Sequence, residues 1–292
     1  MNNPEYIAPE SLGDALKIKR EQGAHARVIA GGTDLILRMR DQVFEPKVLV
    51  DLRRASLDTI SCLARELRLG AYVTLSQILA DEEIAVSFPA LPESCRQFAG
   101  PPIRNRATLG GNLVNASPAA DLAPPLMAYD ATVVLASSGG DRLLPLAEFF
   151  TGPGQTAMRA DEILTQVRLP LMQTGTASRF IKLGQRRSMA ISVINLCTRL
   201  RLGVKGTVSD ARIVLGAAAP TPMRAIAAEA VLLGNELSDD RIDQAAIAAS
   251  KEISPIADVR ASRNYRERMA RVLVRRALLA SWDDLRRNGS ND

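Results

Sequence analysis

The sequence predicts an α+β chain in which a two-part N-terminal region is followed by a C-terminal α/β domain. Three observations carry that expectation. Residues 6–52 alternate short apolar runs with helix-forming stretches around a glycine turn, which makes a small α/β subdomain of about 50 residues. A second strand-and-helix pattern starts near Leu67 and holds a second glycine turn. Beyond Gln173-Thr174-Gly175-Thr176, three strand-like runs come first and three helical stretches follow, predicting a three-stranded antiparallel sheet with helices. The expected boundaries are 1–174 for the N-terminal domain, with subdomains about 1–55 and 56–174, and 175–292 for the C-terminal domain.

Each element has a local reason. Tyr6-Ile7-Ala8-Pro9 predicts a short edge strand, where a terminal proline is tolerated. Ser11 opens a helix that runs toward Gly23, a glycine stop. Val28 and Ile29 read as the end of a buried strand, and the helix formers from Leu35 to about Met39 follow the glycine turn. Val48 to Leu52 is a buried strand, and Leu67, Leu69, Ala71 and Val73 alternate as a half-buried one. Thr74 and Gln77 form a capping box ahead of a helix through about Leu79, and Pro89 to Phe98 is helical. After the second glycine turn, a polar loop leads to Asp121. Ala131–Leu135, turning at Ser138-Gly139-Gly140-Asp141, and Glu162–Leu169 are strands.

In the C-terminal part the strand-like runs are Arg179–Leu183, Ser192–Leu202 and Ala211–Leu215. The alternation in the middle run predicts one covered face. Helices follow at Ala225–Leu233, Asp240–Lys251 and Asn264 to about Arg287. In the last, Met269, Val272, Leu273, Ala277 and Ala280 form an apolar stripe. Its arginines (Arg266, Arg268, Arg271, Arg275, Arg276) are expected on a solvated or partner-facing surface.

Composition excludes several functions. Apolar content of 47% and charged content of 24% fit a soluble globular chain. A net charge of +5 and 4% aromatics argue against a nucleic-acid surface. The N-terminus lacks a secretory pattern and no run approaches a membrane span, so a cytoplasmic protein is expected. Cys62, Cys95 and Cys197 are too few and too scattered for a four-thiolate cluster, and His25 alone cannot build a metal site. The chemistry must come from a bound group.

No Gly-x-Gly-x-x-Gly follows a strand and no P-loop is present. Gly152-Pro153-Gly154-Gln155-Thr156-Ala157 imitates the former but reads as a structural turn. The informative pair is Ala30-Gly31-Gly32-Thr33-Asp34-Leu35 and Thr108-Leu109-Gly110-Gly111-Asn112. Glycines let backbone N–H groups approach a phosphate, and a following helix start adds positive charge. One such turn reads as structural; two can grip a long dinucleotide.

The first of these turns, with Ile103-Arg104-Asn105-Arg106-Ala107-Thr108-Leu109-Gly110-Gly111-Asn112-Leu113 and Ala116-Ser117-Pro118-Ala119-Ala120-Asp121-Leu122, resembles the FAD-binding medium subunits of molybdenum hydroxylases, the xanthine dehydrogenase and carbon monoxide dehydrogenase family. Tyr6-x-x-Pro9-x-Ser11-Leu12 and Tyr265-Arg266-x-x-Met269-Ala270 extend the resemblance over nearly the whole chain. It implies a two-subdomain FAD-binding fold of the vanillyl-alcohol-oxidase/p-cresol-methylhydroxylase type plus the C-terminal domain.

The cofactor-binding set it implies is Val28, Ile29, Ala30, Gly31, Gly32, Thr33, Asp34, Leu35, Phe98, Thr108, Leu109, Gly110, Gly111, Asn112, Asp121, Leu164, Lys182 and Ile191. Backbone groups of Ala30 to Asp34 and Thr108 to Asn112 would hold the pyrophosphate, and Ile191 would lie beside the isoalloxazine ring. Core packing is the competing reading for Phe98, Leu164 and Ile191, and a surface ammonium for Lys182.

The resemblance further implies no catalytic residue and no metal ligand on this chain. Its partners would be a large molybdenum-cofactor subunit and a small [2Fe–2S] subunit in a heterotrimer. Electrons would leave to an external acceptor such as NAD⁺, a quinone or O₂. The cysteine-rich loop of dearomatising benzoyl-CoA-type reductases is missing, which disfavours that branch. With one histidine that no motif needs, the FAD is expected to be non-covalent. The alternatives are a free-standing FAD-dependent oxidase or dehydrogenase of the same fold, and a non-redox nucleotide-binding module.

Overall fold

The apolar run Val48-Leu49-Val50 becomes the centre of the first sheet. The computed structural model describes residues 3–186, 189–203 and 205–289. Parallel strands β1 (Glu5–Ile7), β2 (Ala26–Ile29) and β3 (Val48–Asp51) lie in the order β1-β3-β2. Paired on both sides, β3 is buried at every position. As an edge strand, β2 leaves Val28 and Ile29 half-buried, which corrects the expectation of a buried strand. Two apolar residues in a row do not distinguish an edge from a centre. Helix Leu12–Gln22 is capped by Ser11, whose Oγ accepts from the Asp14 amide at 3.1 Å. Its Ala15 and Leu16 pack with Ala26, Val48, Val50 and Leu52.

The chain continues through β4 (Ile60–Leu63), β5 (Glu66–Gly70), β6 (Thr132–Ser137), β7 (Gly140–Pro145), the hairpin strands β8 (Phe150–Gly152) and β9 (Gln155–Thr156), and β10 (Ile163–Pro170). An antiparallel sheet takes the order β4-β5-β10-β6-β7. The exposed edge β4 was not expected. Its hairpin turns through Ala64 and Arg65, at φ 53° and 64°, residues that do not announce such a turn. Gly152 to Thr156 form the β8–β9 hairpin, a turn as expected. Met1–Gln77, Gly100–Ala116 and Ala131–Pro170 make up this first compact unit.

The second unit comprises Ile78–Ala99, Ser117–Asp130 and Leu171–Asp292. Its sheet is antiparallel, in the order β11 (Thr176–Gly184), β12 (Ser192–Leu202), β13 (Val208–Gly216) and β14 (Met223–Arg224). The two-residue β14 makes it four-stranded rather than three-stranded. Helices Ile226–Leu232, Asp239–Glu252 and Arg263–Gly289 join one side in a shared core: Ile194, Leu196 and Leu200 pack with Leu232, Ile242, Ala246, Leu273 and Leu278. The alternate residues Val193, Asn195, Cys197 and Arg199 are buried too. Helices Ala90–Gln97 and Ala123–Ala128 pack on the sheet within this unit, so both faces are covered, correcting the one-face expectation.

Arg266 departs from the expected solvated face: it is 1% exposed. It stands four residues before Ala270, on the apolar stripe rather than opposite it. Its guanidinium donates to the carbonyls of Val193 (2.5 Å) and Ala217 (3.1 Å) and to Asp258 Oδ1 (2.8 Å). Burial raises the Asp258 pKa, but the Arg260 amide, the guanidiniums of Arg260 and Arg266, and the Ala261 amide outweigh it and hold the carboxyl at about 2. Among the described residues no helix is long and apolar enough to cross a membrane.

Asp258→Ala strands the buried Arg266 cation and is expected to lower stability by about 3 kcal/mol at pH 7, read by urea denaturation. A carboxyl with a depressed folded pKa stabilises above its unfolded value. The Asp258 contribution should therefore persist through pH 5 and disappear as pH falls from about 4 toward about 2.

Candidate functional site

One backbone segment of the first unit organises both glycine turns. After β5 the chain runs Ala71-Tyr72-Val73-Thr74-Leu75, with Ala71 and Val73 buried. The carbonyls of Ala71 and Val73 accept from the amides of Gly110 (2.8 Å) and Leu109 (2.9 Å), and the Leu75 amide donates to the Ala107 carbonyl at 3.1 Å. Between them, Tyr72 points toward the other turn. Its hydroxyl accepts from the Leu52 amide at 2.9 Å and donates to the carbonyl of Ile29, the last residue of β2. Burial, the largest cause, pushes this phenol well above its usual range, so it remains a donor. The predicted Thr74–Gln77 capping box is present, with the Thr74 amide 2.8 Å from Gln77 Oε1.

The first turn leaves β2 at Ala30. A Cβ on Gly31 would lie inside the Arg106 carbonyl group, 2.6 Å from its carbon, so this position admits no side chain. Gly32 has φ 72°, which disfavours any other residue. Among the described residues, the amides of Gly31, Gly32, Thr33 and Asp34 donate no hydrogen bond. Asp34 occupies the N-cap of helix Leu35–Arg40 but makes no capping bond, and none of that helix's residues is buried.

The second turn is built differently. Thr108 caps helix Leu109–Val114, and its Oγ1 accepts from the Gly111 amide at 3.1 Å. Gly110 and Gly111 therefore lie inside the first turn of a helix. The Asn112 amide donates to the Thr108 carbonyl at 3.0 Å, so the amides of Leu109, Gly110, Gly111 and Asn112 all have acceptors within the chain. A Cβ on Gly110 would come within 2.7 Å of the Ala71 Cβ, which makes it a packing glycine. One on Gly111 would meet Thr108 Oγ1 at 2.9 Å and otherwise face open space. Asn112 Oδ1 is buried with no hydrogen-bond partner among the described residues. Arg106 joins the turns, its Nε donating to the Gly31 carbonyl at 3.2 Å.

Leu164, also in the first unit, is buried in β10 opposite Leu135, with its side chain in the core. In the second unit, Asp121 is 4% exposed. Its Oδ2 lies 2.6 Å from Lys182 Nζ, and its Oδ1 accepts from Ser192 Oγ (2.7 Å) and Asn195 Nδ2 (2.8 Å). Lys182 Nζ also donates to the Gln97 carbonyl at 3.2 Å. Two residues predicted as separate ligands are thus partners, and Lys182 is no surface ammonium. Ser192 and Asn195 were not anticipated. They lie at the start of β12, on either side of a register break that sequence does not mark. Phe98 is half-buried at the end of helix Ala90–Gln97, and Ile191 is 65% exposed just ahead of β12.

The first unit fits a dinucleotide. Four amides lack acceptors, as a diphosphate requires, and a guanidinium adjoins them. A buried, unpaired acceptor at Asn112 suits a sugar or ribityl hydroxyl.

Residues 2–172 match a family model described as the FAD binding domain in molybdopterin dehydrogenase. Residues 179–281 match the CO dehydrogenase flavoprotein C-terminal domain. The chain is 31% identical to the xanthine dehydrogenase FAD-binding subunit of Escherichia coli O157:H7, covering 94% of each. Its structure resembles that of a chain of the Hydrogenophaga pseudoflava carbon monoxide dehydrogenase lacking the Mo-pyranopterin moiety, with TM-score 0.93, 32% identity, and coverage of 96% of this chain and 98% of that one. A chain of quinoline 2-oxidoreductase from Pseudomonas putida 86 matches with TM-score 0.91 and 30% identity, over 97% and 98% of the two chains.

The glycines separate packing from ligand approach. Gly31→Ala is expected to abolish soluble folded protein, because backbone must move to admit the methyl. Gly111→Ala asks only the Thr108 side chain to shift and is expected to stay within about 1 kcal/mol of wild-type stability. It should nevertheless weaken dinucleotide binding about tenfold, measured by titration alongside thermal melts. Unchanged affinity would show that no ligand approaches the second turn.

Proposed function

This chain belongs to the family of FAD-binding subunits of molybdenum hydroxylases, which includes carbon monoxide and xanthine dehydrogenases, and on that premise we propose that it is an electron-transfer subunit holding FAD non-covalently. In this reading the amides of Gly31 to Asp34 bind the diphosphate and Asn112 accepts from a cofactor hydroxyl. The observation that carries it is the set of acceptor-free amides in a turn whose shape Gly31 and Tyr72 enforce. Bound FAD supplies a two-electron store that loads and unloads one electron at a time.

Family correspondence adds Val28, Ile29, Ala30, Leu35, Thr108 to Gly111 and Leu164 as proposed contacts in the first unit, and Phe98, Asp121, Lys182 and Ile191 in the second. Asp121 has both carboxylate oxygens engaged by Lys182, Ser192 and Asn195. Its proposed role is to fix the Lys182 ammonium and the start of β12 as much as to meet the cofactor itself.

The proposed partners are a large subunit with the molybdenum cofactor and a small subunit with [2Fe–2S] clusters. Electrons leave to an external acceptor, and the complex works in the cytoplasm. This division of labour is supported by relatives named as the carbon monoxide dehydrogenase medium chain and the nicotine 6-hydroxylase medium subunit.

Purification under native conditions is expected to yield yellow protein with two unlike subunits, one carrying molybdenum and the other [2Fe–2S] clusters. Acid precipitation should release the flavin to the supernatant, and colour retained in the unfolded pellet would overturn the non-covalent assignment. A single yellow chain that oxidises a small molecule alone would favour a free-standing oxidase. A colourless chain that binds only ADP would favour a binding module.

A further inference from the structure

Arg106 belongs to the second motif, yet neither the motif nor the family correspondence gives it a role. Its backbone is fixed, with the amide bonded to the Ile103 carbonyl at 3.0 Å and its own carbonyl group filling the space where a Gly31 side chain would stand. The side chain then turns back across the same glycine, Nε donating to the Gly31 carbonyl. The N–H donors on Nη1 and Nη2 have no acceptor among the described residues, and Arg106 forms no ion pair there. Three arginines of this unit are, by contrast, paired with carboxylates: Arg53 with Asp51, Arg68 with Glu66 and Arg142 with Glu162. The first turn also has a charge deficit. Its amides are neutral, while Asp34 at its end is an exposed carboxylate without a bonded partner among the described residues, and would repel a diphosphate.

We propose that Arg106 is a diphosphate clamp. Nε braces on the Gly31 carbonyl, and the Nη donors make charge-assisted hydrogen bonds to the phosphate oxygens held by the first turn, offsetting Asp34. The inference rests on the reading of this chain as an FAD-binding subunit.

The test uses the full chain stripped of flavin, titrated with FAD by flavin fluorescence and with ADP by competition. Arg106→Gln is expected to raise Kd about tenfold or more for both ligands, to flatten the salt dependence of binding, and to leave the melting temperature of the apo chain unchanged. Arg106→Lys, which keeps the charge but not the fork, should recover part of the loss. Wild-type affinity and salt dependence in Arg106→Gln would overturn the clamp. So would a loss accompanied by a lowered apo melting temperature with no recovery in Arg106→Lys, since that marks a structural brace. A wild-type chain that binds neither FAD nor ADP would overturn the proposed function itself, and the clamp with it.

Discussion

The pairing of backbone groups along Ala71–Leu75 is the constraint on which the site depends. A buried amide or carbonyl without a partner is costly, so each group on this segment dictates the position of whatever satisfies it. The Ala71 and Val73 carbonyls are satisfied by Gly110 and Leu109, which clamps the second turn to the segment. Tyr72 adds a side-chain link to Ile29 and Leu52, ending β2 where the first turn begins. The two turns then approach closely enough that Gly31 must lack a side chain.

That arrangement divides the work between two turns of similar sequence. Binding to Ala71, Val73 and Thr108 uses up the amides of the second turn, leaving Asn112 Oδ1 and the open side of Gly111. The first turn is positioned from outside, by the Tyr72 hydroxyl at Ile29 and by the Arg106 backbone carbonyl against Gly31, and keeps its own amides unbonded. A group already committed within the fold cannot donate fully to a ligand. Motifs of similar sequence thereby become a structural latch and a turn with unbonded amides.

The second unit meets a different problem, that of burying charge. Asp121 with Lys182, and Asp258 with Arg266, place full charges in largely dry surroundings. Such pairs are tolerated when further hydrogen bonds satisfy the remaining atoms. Ser192 and Asn195 do so for Asp121, and the carbonyls of Val193 and Ala217 take up Arg266 Nη1, leaving its buried Nε without an acceptor among the described residues. Both networks converge on the first residues of β12, which fixes the strand that follows Ile191.

Much was legible in the chain itself. Capping chemistry located the helices at Ser11 and Thr74, because a side chain three residues from its partner needs no tertiary help. Apolar periodicity located β3, β10 and β12, and two long motifs in order identified the family and its cofactor. Strand β4 and its Ala64-Arg65 turn were not legible, since their residues carry no turn signal. The placement of helices Ala90–Gln97 and Ala123–Ala128 on the later sheet was not legible either, because it joins segments far apart in sequence. The sequence by itself determined the element types, the two glycine turns and the family. Tertiary structure alone decided which amides stay free, that Asp121 and Lys182 answer each other, and that Arg106 lies on Gly31. Those are matters of which buried donor meets which acceptor across 60 to 80 residues of chain, and spacing along a sequence does not encode them.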